Sequence, residues 1–341
     1  MRPRTRKEFT IAIICALPLE AEAVEALFDE HYDRLGKYYG VQQGDANAYV
    51  NGRIGKHNVV VCYMRRMGKE SAAVASSLLV SYTGIELALV VGICGGGPPP
   101  PRYEEIFLGD VIISDSVLQY DFGKQYPGGF QRQTGHIQDT FGRPVRRIRT
   151  LLNGLRAENT CREFQEQTQQ YLQTLQQTGT RWQHPRVTDI LFESSYVHKH
   201  YSPGSVPTGC SCLNNRSNDE ICDVALGQNC DELICDKGRA IRCRMVSEAT
   251  RPSIYIGTVA SADTVMKSGQ HRDEIVRKEQ VIGFEMEGSG VWDNVPCIII
   301  KGVCDYADSH KNKLWQAYAA ATGASAAKAF LEYWMPTKQE G

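Results

Sequence analysis

The sequence predicts an α/β protein, on three observations. Continuous apolar runs rich in β-branched residues (FTIAIICAL at 9–17, LALVVGI at 87–93, CIIIKGV at 297–303) read as strands buried on both faces. Segments with apolar residues at helical spacing alternate with them. Turn-forming and insertion-like segments fall between these runs and do not split the chain in two. The alternation argues for helices on both faces of a largely parallel sheet.

Taken in order, residues 9–17 form the first core strand, which Pro18 ends, and 19–28 a helix. Residues 49–51 and 58–63 read as strands, and 68–81 as a helix of small residues. The strand at 87–93 runs into a glycine turn at 94–97 and a proline tract at 98–101, and a further strand begins at 110–114. Residues 144–177 are polar and Gln-rich, but Leu151, Leu152, Leu155, Leu172 and Leu175 give them a helical stripe, as in a surface helical hairpin. Residues 198–251 are rich in Cys, Gly and Asn, with little periodicity, and read as an insertion. Strands return at 253–260, 283–286 and 297–303, and an Ala-rich helix at 314–334 closes the order. The expected organisation is one domain over 9–335, with a helical insertion at 144–180 and a Cys-rich one at 198–251.

Composition narrows the function. At 42% apolar and 23% charged residues, the 341-residue chain is ordinary globular material, neither disordered nor a coiled coil. A net charge of −1 gives no global field for nucleic acid or an acidic membrane, so neither is expected as a partner. Twelve cysteines are too few for a disulfide scaffold, and Cys15, Cys62, Cys94, Cys297 and Cys304 sit in apolar runs, which fits a reducing cytoplasm. No apolar run approaches 18 residues. Arg2, Arg4, Arg6 and Lys7 ahead of the first apolar run imitate a secretory signal, but Pro18 and Glu20 interrupt it and no small-x-small cleavage site follows.

Four constellations carry candidate chemistry. Glu20 lies just past a strand end, where open α/β sheets bind ligands; its plainer reading is a first-turn carboxylate favoured by the helix dipole. Val91-Gly92-Ile93-Cys94-Gly95-Gly96-Gly97 lets backbone approach a ligand, although it is neither a P-loop nor a dinucleotide fingerprint and a tight turn would look the same. In Phe284-Glu285-Met286-Glu287-Gly288, alternation would point both acids one way; a carboxylate there suits a vicinal diol and Met286 an apolar floor beneath a sugar, against a solvated strand end. Asp305 follows the strongest strand, where a shielded carboxyl suits general-acid work, or equally a helix N-cap.

In this order, with Gly-Asp-Val-Ile-Ile-Ser at 109–114 and Ala-Ser-Ala-Asp at 260–263, the segments resemble the nucleoside phosphorylase and nucleosidase superfamily, the purine and uridine phosphorylase-like proteins. Tyr120-Asp121-Phe122-Gly123-Lys124 and the stretch from Cys304 to Lys313 are similar to a fungal subgroup associated with NACHT- or ankyrin-type immune receptors, related to ATP nucleosidases. The resemblance implies a three-layer α/β/α fold with a mixed central sheet, here carrying the Cys-rich insertion. It implies Asp305 at purine N7, Glu287 on the ribose hydroxyls, Met286 under the sugar, and Gly95 and Gly96 along the sugar and nucleophile side. Ala262, Val265, Met266 and Phe284 would form the base pocket, and Glu20 would activate water. No cofactor is implied, and relatives are commonly homo-oligomers.

Two departures bear on the reaction. Phosphorylases of the superfamily hold phosphate with arginines in the first loop and beside the glycine turn. Here Leu17-Pro18-Leu19 and 92–97 offer no cation, which favours water. Cys304 stands where nucleosidases often have Ser. Arg65, Arg66 and Lys69 fall near the expected 5′ side of the ribose and suit a phosphorylated substrate, unless they are a solvated helix start. The expected reaction is hydrolysis of a purine nucleotide or nucleoside, foremost ATP to adenine and ribose 5-triphosphate. The alternatives are a phosphate-dependent phosphorylase and a non-catalytic nucleotide sensor.

The insertion spells C-x-C-x9-C-x7-C-x4-C-x7-C through Cys210, Cys212, Cys222, Cys230, Cys235 and Cys243, with His198 and His200 upstream. Only Cys230 to Cys235 approaches the paired spacing of zinc knuckles, so reduced thiols are the first expectation and structural zinc the second.

Overall fold

A computed structural model of the chain describes residues 2–68, 70–98, 100, 105–132, 140–141, 144–201, 210, 212, 222–245 and 251–336. The strands are β1 (Ile11–Cys15), β2 (Glu30–Arg34), β3 (Ala48–Ile54), β4 (His57–Tyr63), β5 (Leu87–Gly96), β6 (Val111–Gln119), β7 (Gly123–Tyr126), β8 (Gly129–Arg132), β9 (Thr140–Phe141), β10 (Asp189–Phe192), β11 (Ala240–Arg244), β12 (Ile254–Ser261), β13 (Gly283–Glu285) and β14 (Cys297–Asp305). The helices are α1 (Pro18–Glu25), α2 (Glu70–Ser81), α3 (Arg146–Leu155), α4 (Glu158–Thr178), α5 (Asp223–Leu226), α6 (Gly269–Glu279), α7 (Gly288–Trp292) and α8 (Gln316–Tyr333). Among the described residues, no helix is long and apolar enough to cross a membrane.

The main sheet runs β13-β12-β6-β14-β5-β1-β4-β3-β2, with β9 beside β6. β13 also pairs with β5, so β5, β14, β6, β12 and β13 close on one another, and β1, β4, β3 and β2 continue as an open sheet. The expectation of a largely parallel sheet is corrected. β1–β4, β1–β5, β5–β14, β6–β12 and β12–β13 are parallel, but β2–β3, β3–β4, β6–β14, β5–β13 and β6–β9 are antiparallel. The sheet is mixed, as the family resemblance implied.

The strands that carry the site are those the apolar runs announced. Every residue of β1 and β14 is buried, because both faces of these strands are covered. Pro18 ends β1 by opening α1, where its missing N–H is no loss and its fixed φ suits the first turn. The glycine turn expected at 94–97 is a second correction. β5 continues to Gly96, and Gly95 and Gly96 pair with Phe284 and Gly283.

The expected hairpin is present as α3 and α4. It covers the core as well as presenting a surface: α4 packs on α8 and buries Phe164, Thr168, Leu172 and Leu175. The Cys-rich segment has its own small core of Phe192, Cys222, Ala225, Leu233 and Cys235, next to the β10–β11 ribbon. Its short α5 and β11 were not anticipated.

The Ala-rich α8 lies directly on β14 and β5. Small residues permit that approach: a Cβ on Gly302 would fall 2.0 Å from the Ala319 carbonyl, and one on Gly323 would fall 2.8 Å from the Gly92 carbonyl. Both obstacles are backbone and cannot swing aside. Gly302→Ala is therefore expected to destabilise the fold by about 3 kcal/mol, the upper range for overpacking. A denaturant midpoint equal to that of the unaltered protein would refute this contact.

Candidate active site

Three strand ends open onto one cavity of about 380 Å³, whose wall includes Glu20, Gly95, Val265, Met266, Phe284, Met286, Glu287 and Asp305. These eight sequence-selected residues therefore meet in space. Gly96 and Ala262 do not reach the wall: Gly96 pairs with Gly283 and faces the Val303 side chain, and Ala262 is buried in the packing behind.

Glu20 is placed by the first turn of α1. Its Oε2 accepts from the backbone N–H groups of Ala16 and Leu17, each at 2.8 Å, and its Oε1 from that of Ile93 at 2.8 Å. The carboxylate thus joins the end of β1 to β5. Gly92 makes room for it, since a Cβ there would lie 2.0 Å from Glu20 Oε1.

Glu287 stands at the head of α7 and pairs through Oε2 with Lys301 Nζ at 2.9 Å, both side chains almost wholly buried. Glu285 folds back on its own loop and accepts from the N–H groups of Glu287 (2.9 Å) and Gly288 (3.0 and 2.9 Å). Lys301 and Glu285 were not given roles from sequence. The signal available for Lys301 was a lysine inside an otherwise apolar strand, where a buried ammonium needs an anion.

Three carboxylates thus surround one ammonium. Burial, with the charge of Glu287 acting in the same direction, pushes Glu285 up to about 7. Burial also raises Glu20, against the pull of Lys301. Burial opposes the charge on Lys301, but Glu287, Glu20 and Glu285 together outweigh it and raise its pKa.

Asp305 ends β14. Its Oδ1 accepts from the Ala307 N–H at 2.9 Å, while the Cys304 thiol (3.3 Å) donates to Oδ2 and Lys311 Nζ lies 3.2 Å from the same oxygen. Cys304, where nucleosidases often have Ser, thus directs its thiol at the Asp305 carboxyl. Ala307 takes the left-handed conformation (φ 52°), which turns the chain back across the cleft. Gly95 lies opposite, where a Cβ would come within 2.9 Å of both Ala307 Cβ and Asp305 Oδ1. Arg272, fully buried, donates to the Tyr306 carbonyl at 2.6 Å and braces the same turn; sequence reasoning missed it.

The cations proposed for the 5′ end are not brought to the wall. Arg65 is engaged by Glu70 at 2.7 Å, and Arg66 is exposed beside Met67, which does line the cavity. Lys69 lies outside the described residues. The lysines on the wall are Lys311 and Lys313. Leu17, Met67 and Thr264 complete much of the remainder.

Fold and cleft together define an α/β protein with a buried acidic site at the ends of its strands. The chain belongs to the Phosphorylase superfamily, whose pattern residues 10–181 match. A nucleotide-binding leucine-rich repeat (NLR)-like protein of the fungus Hyaloscypha variabilis is 31% identical over 95% of this chain, which spans 29% of that protein's length. A 5′-methylthioadenosine/S-adenosylhomocysteine nucleosidase of Mycobacterium bovis is 28% identical over 33% of this chain and 39% of its own. Among solved structures, the corresponding nucleosidase of Neisseria meningitidis superposes with a TM-score of 0.54 at 14% identity, covering 95% of this chain and 98% of that one. The futalosine hydrolase of Helicobacter pylori gives 0.54 at 14% identity over 96% and 99%. These two superpositions establish the shared fold.

The buried cluster yields two expectations. Lys301→Met strands the buried Glu287 carboxylate without its cation and should destabilise the protein by about 3–5 kcal/mol. Folded Glu285 keeps its proton up to about pH 7, whereas the unfolded chain releases it near 4.5. The folded state therefore binds more protons between these values, and stability falls as pH rises through that window. Thermal melts across that range should show a shallower decline for Glu285→Gln; an unchanged slope would contradict the assignment.

Proposed function

We propose that this cleft hydrolyses the N-glycosidic bond of a purine nucleotide or nucleoside, with ATP cleaved to adenine and ribose 5-triphosphate. The observation that carries the reading is the convergence of Glu20, Glu287 and Asp305, from three separate strand ends, on one cavity. Breaking the C1′–N9 bond builds positive charge on the ribose and negative charge on the departing base. Asp305 faces the base and gives its proton to N7 as the C1′–N9 electron pair leaves with the ring, and the Lys311 ammonium 3.2 Å from its Oδ2 stabilises the carboxylate that results. Glu287, oriented by Lys301, accepts the ribose hydroxyls over Met286. Glu20 takes a proton from water as its oxygen bonds to C1′. Its raised pKa suits a general base, which works best near the ambient pH.

Water is favoured over phosphate because the wall near Glu20 is acidic and Lys301 is already committed to Glu287. Lys313 on the wall supports a phosphorylated 5′ end. A second reading has its own support: Leu17, Met67, Val265 and Met266 offer an apolar wall suited to a nucleoside with a thioether at that end, as the names of the bacterial relatives suggest. The NLR-like relative, of whose length this chain spans 29%, supports a place for the activity within a larger nucleotide-binding, leucine-rich-repeat type of protein.

Adenine release measured from ATP, adenosine and methylthioadenosine, with and without phosphate, separates these readings. The expected result is phosphate-independent release, fastest from ATP. Strict phosphate dependence overturns hydrolysis, and preference for methylthioadenosine overturns the nucleotide. Asp305→Asn should slow release by about 10²–10⁴-fold, the usual worth of acid–base assistance, with melting temperature retained. Release at the unaltered rate would remove Asp305 from the mechanism.

A further inference from the structure

The Cys-rich insertion gathers metal-ligating side chains that the cleft does not use. His200 Nδ1 lies 3.5 Å from Cys210 Sγ, 3.6 Å from Cys212 Sγ and 3.7 Å from Cys222 Sγ, and Cys210 Sγ lies 3.5 Å from Cys222 Sγ. Zinc bonds of about 2.3 Å to sulfur and about 2.05 Å to nitrogen give tetrahedral edges of about 3.8 Å (S···S) and about 3.6 Å (S···N). The three N···S separations match the S···N edge, the Cys210–Cys222 separation is close to the S···S edge, and all four atoms lie within 4.8 Å of one another. Hydrogen bonding among thiols does not account for the arrangement, because Nδ1 has one lone pair and three sulfurs approach it. Nor does a disulfide, whose sulfurs would be about 2.05 Å apart.

The surroundings fit ligands rather than free thiols. His200 Nε2 lies 3.1 Å from Gln228 Oε1, and His198 Nε2 lies 3.0 Å from the Gln228 carbonyl. With the proton on Nε2 donated to oxygen, each Nδ1 lone pair is left facing sulfur, the usual outer-shell arrangement of a metal-bound histidine. Cys210 Sγ and Cys222 Sγ each accept a backbone N–H at 3.4 Å, from Cys212 and Ala225, as thiolates do.

A second set adjoins the first. His198 Nδ1 lies 3.4 Å from Cys235 Sγ and 3.9 Å from Cys230 Sγ. Beside it stands His310, on the loop that follows Asp305. Its ring centroid is 5.1 Å from that of His198 and the residue is 7% exposed; neither ring nitrogen makes a hydrogen bond, and Asp308 Oδ1 lies 3.8 Å from Nδ1. With Nδ1 turned toward the Asp308 carboxylate, Nε2 is left buried without a polar contact, which is costly unless a cation takes it. Cys243, on β11, is exposed and belongs to neither set, which corrects its inclusion among the sequence-selected thiols.

We propose that the insertion is a two-zinc module. One Zn²⁺ is held by His200, Cys210, Cys212 and Cys222; the other is held by His198, Cys230 and Cys235, with His310 as the fourth ligand. Each cysteine loses its thiol proton to solvent as its bond to zinc forms. The softness and geometry of these donors select zinc over hard cations. The second centre ties the insertion to the loop that carries Asp305 and Lys311.

The test uses the full chain and reads metal, not activity, so it is independent of the proposed reaction. Elemental analysis of protein purified without chelator should give about two zinc ions per chain, the sum of two closed sites. Chelator-stripped protein titrated with Co²⁺ should develop sulfur-to-cobalt charge-transfer and tetrahedral d–d bands, a measurement on the unaltered chain that needs no variant to fold. Cys212→Ser and Cys235→Ser should each lower zinc by about one ion per chain, and His310→Ala should remove the second ion on dialysis against chelator. One ion, lost in Cys212→Ser and retained in Cys235→Ser, overturns the second centre. Iron in place of zinc, or no metal together with no cobalt spectrum, overturns the proposal.

Discussion

The site is organised around the buried pair between Lys301 and Glu287. Taking both charges out of water costs several kcal/mol per ion, and their attraction offsets that only when the geometry is good and the remaining polar atoms are bonded. Here they lie 2.9 Å apart, and two further acids crowd the same ammonium. Those acids are tolerated only because backbone donors hold them: three N–H groups on Glu20 and two on Glu285. The glycine at 92 follows from this constraint, since a side chain there would occupy the space of the Glu20 carboxylate. The cluster joins β1, β5, β13 and β14 at one point, so the positions of sheet and site are set together.

What the sequence disclosed reflects what periodicity encodes. Buried strands leave long apolar runs, so β1, β5 and β14 were visible, and Glu20, Glu287 and Asp305 were found because each follows a strand in a fold class that binds ligands at strand ends. Strand direction leaves no such trace. β6 looks the same whether it runs with or against β14, and the antiparallel pairing emerges only from the connections around it. A related ambiguity covers Gly95 and Gly96. Glycines after an apolar run read as a turn, but their function here is close approach within a continuing strand.

Long-range partners were equally hidden. A charge run at 65–69 fixes sign but not destination, and Glu70 claims Arg65. The charged α6 shows only Ile275 and Val276 as buried apolar residues in its middle, too little to mark it, yet it supplies Arg272 to the turn after β14. In the insertion, spacing obscured what geometry reveals. C-x-C followed by nine residues matches no familiar knuckle, because one histidine and a distant cysteine complete the set.

The turn after β14 is held from several sides, and this links the insertion to the cleft. Arg272 donates to the Tyr306 carbonyl, the Tyr306 hydroxyl donates to Asp189 at 2.5 Å, and Arg242 of β11 donates to that same hydroxyl at 2.7 Å. The His198 N–H donates to Ser309 Oγ at 2.9 Å, and the His310 ring stacks on Phe192 at 4.2 Å between centroids. Asp189 and Phe192 belong to β10, and Arg242 to its partner β11, so the ribbon that borders the Cys-rich core grips the segment between Asp305 and Lys311. Ala307 holds a backbone conformation that costs an L-residue about 1–2 kcal/mol, and such a turn persists only when its neighbours determine it. The insertion supplies two of those neighbours, His198 and Arg242. It is therefore part of what fixes the carboxyl of Asp305 against the cleft, even though its cysteines never reach the cavity.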